Sequence, residues 1–196
     1  AREVLKFLGI ENGLEIHYDG DLPGKSGLGS SSAFTVGLLN ALYAYQGQMV
    51  SKRRLAIESI HIEQDLIKET VGSQDQTNAA FGGLNKIQFK RSGDIIVDPI
   101  TISNKRLKAL NDHLMLFYTG QTRDASEILE QQVKETNNKF DVLKKMRNLV
   151  PSVSDSLVNN DLTTFGKLLH ENWILKKSIT SQISTGIIDE YYKKAL

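Results

Sequence analysis

The sequence predicts an α+β protein in which a glycine-rich loop feeds a buried helix and the C-terminal part is rich in helices. Three observations carry that expectation. Residues 23–37 hold four glycines and four serines and run straight into Ala33, Phe34, Val36, Leu38, Leu39, Ala41 and Leu42, the apolar pattern of a mostly buried helix. Residues 85–98 alternate around Ser92-Gly93 in the manner of a hairpin, with Ile87, Phe89, Ile95 and Val97 on one face. From residue 125 onward the periodicity is helical almost throughout.

Composition narrows the functional classes. With 40% hydrophobic and 24% charged residues over 196 positions, the chain can bury one substantial core or two modest ones. The absence of cysteine excludes disulfides, thiol nucleophiles and thiolate zinc sites. A formal net charge of +1, with basic and acidic residues interspersed, gives no footprint for nucleic acid. No run approaches a membrane span of about 18 apolar residues, so no membrane partner is expected.

Arg2 to Leu8 reads as a helix closed by Gly9, and Leu14, Ile16 and Tyr18 alternate with polar neighbours as a strand. His17 falls on the polar face of that strand, a solvated position. Ser51 is placed to cap a helix from Lys52 to Thr70. His61 and Asp65 on it are four apart, a spacing that favours a surface pair over a metal site. A polar stretch over 103–112 marks a boundary, and His113 to Thr119 reads as a strand ending at Gly120. A long helix is expected from Ala125 to about Met146. Pro151 is expected to start the next one, Asp161 to cap another through Leu175, and Ser184 to precede the last. Trp173 is expected in the core.

The loop is built for an anion. Glycine turns let the backbone approach a phosphate closely, and the unpaired N–H groups of a following helix start favour negative charge. Two common phosphate loops fail by one element. Gly24-Lys25-Ser26 ends a P-loop pattern whose first glycine, Gly20, is one residue too near. Gly27 and Gly29 begin a dinucleotide fingerprint that has Ser32 where its third glycine belongs. A second glycine-flanked segment, Gly72-Ser-Gln-Asp-Gln-Thr-Asn-Ala-Ala-Phe-Gly-Gly83, places Asp75 near a short helical turn, where Ser73 or Asp75 also fits an ordinary N-cap.

Pro23 to Ala33 resembles the P-x-x-x-G-L-G-S-S-A/S-A loop of the GHMP kinases, the superfamily of galactokinase, homoserine kinase, mevalonate kinase and phosphomevalonate kinase. Residues 72–83 resemble that superfamily's second motif, in the G-x-Q-D form of sugar-phosphate kinases. Thr119 to Leu129 is similar to the T-G-x-x-R-x-A-S-x-I-L stretch of D-glycero-D-manno-heptose 7-phosphate kinases, and Leu169 to Ser178 also resembles that branch. Lys25, charged where small residues are usual, and Ser32, alanine in many members, are modest departures.

The resemblance implies a GHMP-kinase-like two-domain fold, with residues 1–108 the remainder of an ATP-binding domain and 109–196 part of a C-terminal domain. It implies that Gly24, Lys25, Gly27, Leu28, Gly29, Ser30, Ser31 and Ser32 bind ATP, that Asp75 is the catalytic base, and that Ser31 and Glu63 hold Mg2+. Glu58, Asp65 and Glu69 compete with Glu63 for that role. Gln74, Gly120, Thr122 and Arg123 are the substrate-binding candidates; on residues alone, Arg123 equally suits phosphate or a surface pair. The expected reaction is phosphorylation of the C1 hydroxyl of a heptose 7-phosphate in the cytoplasm. Fucose, galactose or mevalonate kinases, and a non-catalytic nucleotide-binding module, stay open, as does a homodimer. The ends read as helices cut through, so the chain is expected to be an internal fragment of a longer protein.

Overall fold

A computed structural model describes all residues except 12, 21–26, 121–128, 130, 131 and 160. It divides into two compact units, the first holding residues 1–83 and the second residues 84–120 with the chain beyond 128.

In the first unit, α1 (Arg2–Phe7), α2 (Ser30–Tyr45), α3 (Lys52–His61) and α4 (Gln74–Phe81) pack on one another. Their core is Val4, Val36, Leu38, Leu39, Leu42, Tyr43, Leu55 and Ile62, with Leu5, Phe34 and Ala80 packed against it. These apolar positions are mostly three or four apart in α2, so one side of that helix is buried along its length. Ser51 caps α3 by accepting from the Arg54 N–H, as its sequence position predicts.

α3 does not run unbroken to Thr70. Residues Ile62–Leu66 form a π-helical turn, in which the Ile67 N–H reaches back five residues to the Ile62 carbonyl. Lys68 then takes a positive φ of 63° and the helix stops. Such a turn admits one extra residue into the helix and is common at functional sites.

The expected strand at 14–18 does not form. The segment is irregular and follows the surface of the first unit, with the Tyr18 ring edge-on to Phe34 at 4.9 Å. Alternation supplies a strand's side chains but not its partner, and no strand lies in this unit among the described residues.

The second unit opens with the expected hairpin, β1 (Asn85–Phe89) and β2 (Ile95–Pro99), antiparallel with Ile87 opposite Val97 and Phe89 opposite Ile95. The polar stretch after it is a helix, α5 (Asn104–Asp112), capped by Ser103. Arg106 on α5 is buried and donates to the carbonyls of Leu157 and Ser156 at 2.9 and 3.0 Å, closing the end of α6 (Phe140–Val158).

Three expectations in this unit are corrected. His113–Thr119 is not a strand: Leu114, Met115, Leu116, Phe117 and Tyr118 are exposed and irregular, again with no neighbouring strand to pair with among the described residues. The long helix is broken by a turn at residues 136–139, Thr-Asn-Asn-Lys, whose side chains bond locally: the Thr136 hydroxyl donates to the Gln132 carbonyl and the Asn138 amide to Glu135. Pro151 lies inside α6 instead of starting a helix. It removes one backbone bond, a cost of about 3 kcal/mol, offset by packing along the 19-residue helix.

α7 (Leu162–Lys177) begins at the Asp161 cap, which accepts from the Thr164 N–H at 2.8 Å, and packs against α6. Hydrogen bonding from the Thr164 side chain, and then from its N–H, holds the Asp161 carboxyl below the ordinary aspartate value. Trp173 is half-buried, tilted against Tyr192 of α8 (Gly186–Ala195). Thr185, one residue beyond the expected Ser184, caps α8.

The expectation of helices cut through at the two ends is corrected at the level of those helices: the first begins at Arg2 with Ala1 as its N-cap, and the last closes at Ala195 with Leu196 as its C-cap. No helix among the described residues is long and apolar enough to cross a membrane.

Candidate active site

The described candidates for nucleotide, metal and base, Gly27 to Ser32, Glu63 and Asp75, lie in the first unit with Gln74. Gly27 and Gly29 adopt φ values of 77° and 71°, and Gly29 is the N-cap of α2. A left-handed N-cap without a side-chain acceptor leaves the first N–H groups of α2 unclaimed, and the Ala33 N–H makes the first helical bond, to Gly29. No acidic residue of α2 itself occupies its first turn, so any carboxylate at this positive end comes from another element. Leu28 is exposed, and Ser30 and Ser31 flank the opening with Ser31 exposed. Gly24 and Lys25 lie outside the described residues.

The second glycine-flanked segment meets the first. Asp75 is exposed in the first turn of α4, and a Cβ built on Gly29 would lie 3.1 Å from its Cγ and Oδ2. The two helix entrances therefore converge on one point, with a carboxylate beside a bare backbone. Gln74 is exposed next to it.

Beneath that point sits a buried polar cluster. Glu63, in the π-helical turn, is 1% exposed. Its Oε2 accepts from the Ser32 hydroxyl at 2.8 Å and from the Gln76 amide at 2.5 Å, while Oε1 is buried without a hydrogen-bond partner among the described residues. The other acids of the helix are engaged elsewhere or set apart. Glu58 accepts from Arg54 and Tyr43, and Asp65 pairs with His61 at 2.7 Å, a surface pair as its spacing suggests. Glu69 lies beyond the turn, with its backbone N–H on the Glu63 carbonyl. Desolvation and then the Glu58 bond raise the Tyr43 phenol above its ordinary value.

Ser31 and Glu63 are thus not brought together directly; Ser32, one residue on, reaches the carboxylate. Sequence reasoning assigns no role to Gln76, whose partner lies 13 residues away. A polar residue on the inward side of α4, one turn from Ala80 in the core, is the signal that was available. Gly120, with φ 69°, is exposed in the second unit, and Thr122 and Arg123 lie outside the described residues. Among the described residues no group of three or more His, Cys, Asp or Glu side chains could hold a metal by itself.

A glycine turn opening a buried helix, an aspartate at a second helix entrance and a small sheet beside a helix-rich region define an α+β fold of the GHMP-kinase kind. Residues 1–83 match the family model for the GHMP kinases N terminal domain. The chain is 27% identical over 183 residues to D-glycero-alpha-D-manno-heptose 7-phosphate kinase of Campylobacter jejuni, a match covering 92% of this chain and 54% of that protein. It is 26% identical over 190 residues to the bifunctional fucokinase/GDP-fucose pyrophosphorylase of Arabidopsis thaliana, covering 92% of this chain and 18% of the relative. Among solved structures it resembles a D-glycero-D-manno-heptose 1-phosphate kinase from Bacteriodes thetaiotaomicron, with a TM-score of 0.68 at 25% identity over 80% of this chain and 46% of that one. The chain spans about half the length of the heptose-kinase relatives it matches.

Proposed function

We propose that this chain carries ATP- and Mg2+-dependent sugar-kinase chemistry, transferring a phosphoryl group to the anomeric C1 hydroxyl of D-glycero-D-manno-heptose 7-phosphate to give the 1,7-bisphosphate. The observation that carries the reading is the meeting of Asp75 with Gly29, which sets a carboxylate at the mouth of a phosphate-binding helix start. The first N–H groups of α2 and the hydroxyls of Ser30 and Ser31 would bind the ATP phosphates. Asp75 would orient the sugar hydroxyl and accept its proton as the new phosphorus–oxygen bond forms.

The residues fit Mg2+, which binds through one or two carboxylates together with phosphate oxygens and waters. Glu63 offers a buried carboxylate oxygen with no protein partner, and every donor atom around it is oxygen or amide nitrogen. Glu63 would hold the ion, with the Ser31 or Ser32 hydroxyl beside it, and the bound ion would neutralise charge on the transferring phosphate. Arg123 would bind the sugar's own phosphate through its planar guanidinium.

Heptose is favoured by the similarity to the Campylobacter jejuni kinase, named for the 7-phosphate. The Bacteriodes thetaiotaomicron structure is named for a 1-phosphate kinase instead, so the position phosphorylated is part of the test. The product would feed nucleotide-activated heptose for surface polysaccharide, in the cytoplasm. Fucose is the second reading, favoured by the Arabidopsis thaliana relative.

The test is phosphorus NMR of the products after incubating the chain with Mg2+, ATP and a panel of heptose 7-phosphate, heptose, fucose, galactose and mevalonate. A new anomeric phosphate resonance from heptose 7-phosphate alone supports the proposal. Transfer only to fucose replaces the substrate, and transfer to none of the panel rejects the reading.

A further inference from the structure

Gln76 has no place in the mechanism so far, yet it is among the most buried side chains of the protein. It is fully buried in the first turns of α4, one residue after Asp75. Its Nε2 donates to Oε2 of Glu63 at 2.5 Å, while its own Oε1 is buried without a partner. Burying an amide with an acceptor unsatisfied is costly, and a leucine or methionine of similar size would avoid that cost. The amide's gain is geometric. With Ser32 it gives two donors to one oxygen of Glu63, so the carboxylate cannot rotate without breaking both bonds. Oε1 is left without a protein partner.

We infer that Gln76 is a positioning residue that pins Oε2 of Glu63 and thereby reserves Oε1 as a cation ligand, an inference that rests on the proposed kinase chemistry. The same helix start carries Asp75, so α4 fixes both the base and, through Gln76, the metal-binding carboxylate. Metal ligands are commonly oriented in this way, and losing such a partner typically lowers metal affinity about 10–100-fold.

The experiment uses the full chain with Mn2+ as the probe and a non-hydrolysable ATP analogue, read by electron paramagnetic resonance. Gln76→Met and Gln76→Asn, the second too short to reach Glu63, should each weaken Mn2+ binding about 10–100-fold. Binding of the metal-free analogue should stay at the wild-type level, with near-ultraviolet circular dichroism as the folding control. Unchanged Mn2+ affinity in a folded variant overturns the inference. So does an equal loss of metal-free binding, which marks a merely structural role.

The wild-type chain supplies a measurement that no variant's folding can confound. In nitrogen-15 spectra the Gln76 side-chain amide should be protected from solvent exchange and should shift when Mg2+ and the analogue are added. An unprotected amide overturns the inference. A protected amide in a chain that binds no Mn2+ with nucleotide rejects the kinase reading itself, and the inference falls with it.

Discussion

Replacing Gly29 by alanine puts a methyl carbon 3.1 Å from Cγ and Oδ2 of Asp75 and 3.2 Å from its Cβ. Carbon contacts are most favourable at about 3.5–4.0 Å, so the carboxylate must give way by roughly half an ångström. Asp75 is exposed and its carboxyl is the free end of a short side chain, so this movement costs little stability. It costs position instead. A misplacement of about 1 Å can lower a rate about 100-fold, so half of that corresponds to roughly tenfold, or ~1.4 kcal/mol of barrier.

The substitution also strains the backbone, because φ at Gly29 is 71°. An L-residue in that conformation costs about 1–2 kcal/mol. Gly47 separates the two effects: its φ is 72°, nothing lies within 4 Å of its virtual Cβ, and it closes the far end of α2 away from the site. Gly47→Ala and Gly29→Ala should therefore lose similar stability in urea titrations. In a coupled ADP-release assay at saturating substrates, only Gly29→Ala should lose kcat, by about tenfold or more. Equal kcat in the two variants would refute the claim that Gly29 leaves room for the base.

Two further outcomes are expected. Arg123→Ala should raise KM for the phosphorylated heptose by roughly 1.5–3 kcal/mol of lost charge-assisted bonding, with little change for ATP, and Arg123→Lys should recover only part; equal losses on phosphorylated and unphosphorylated sugar would return Arg123 to a surface pair. The Lys177 ammonium, then the Ser184 hydroxyl, hold the Asp189 carboxyl below its ordinary value; that stability is present above about pH 3.9 and is lost as pH falls towards the lower folded value, so Asp189→Asn should flatten the acid limb of a melting-temperature profile, an effect that salt screens because both groups are partly exposed.

What the sequence made legible was local. Ser51 and Asp161 cap helices because the N–H each one binds lies three residues ahead, within the same short window. The hairpin was legible because Ser92-Gly93 sets its turn and Ile87 and Val97 fall in register. The two motifs named the loop and Asp75, but not their meeting, since Gly29 and Asp75 are far apart in the chain.

What escaped needed a distant partner. Residues 14–18 and 113–119 have the side chains of strands, but a strand exists only by pairing, and no neighbour is present among the described residues. Glu63, Ser32 and Gln76 come together across 31 and 13 residues, which no local pattern encodes. Pro151 misled for the opposite reason: a strong local signal was overridden by the packing of α6 against α7.

The most direct test of the account compares wild type with Asp75→Asn in the same two assays, calorimetric titration with Mg2+ and an ATP analogue, and kcat for phosphoryl transfer. The amide keeps the size and polarity of the side chain beside Gly29 but cannot take a proton. Nucleotide affinity should stay close to wild type and kcat should fall by about 10²–10⁴-fold, the usual cost of losing a general base. A folded variant that keeps more than about a tenth of the wild-type kcat would contradict it.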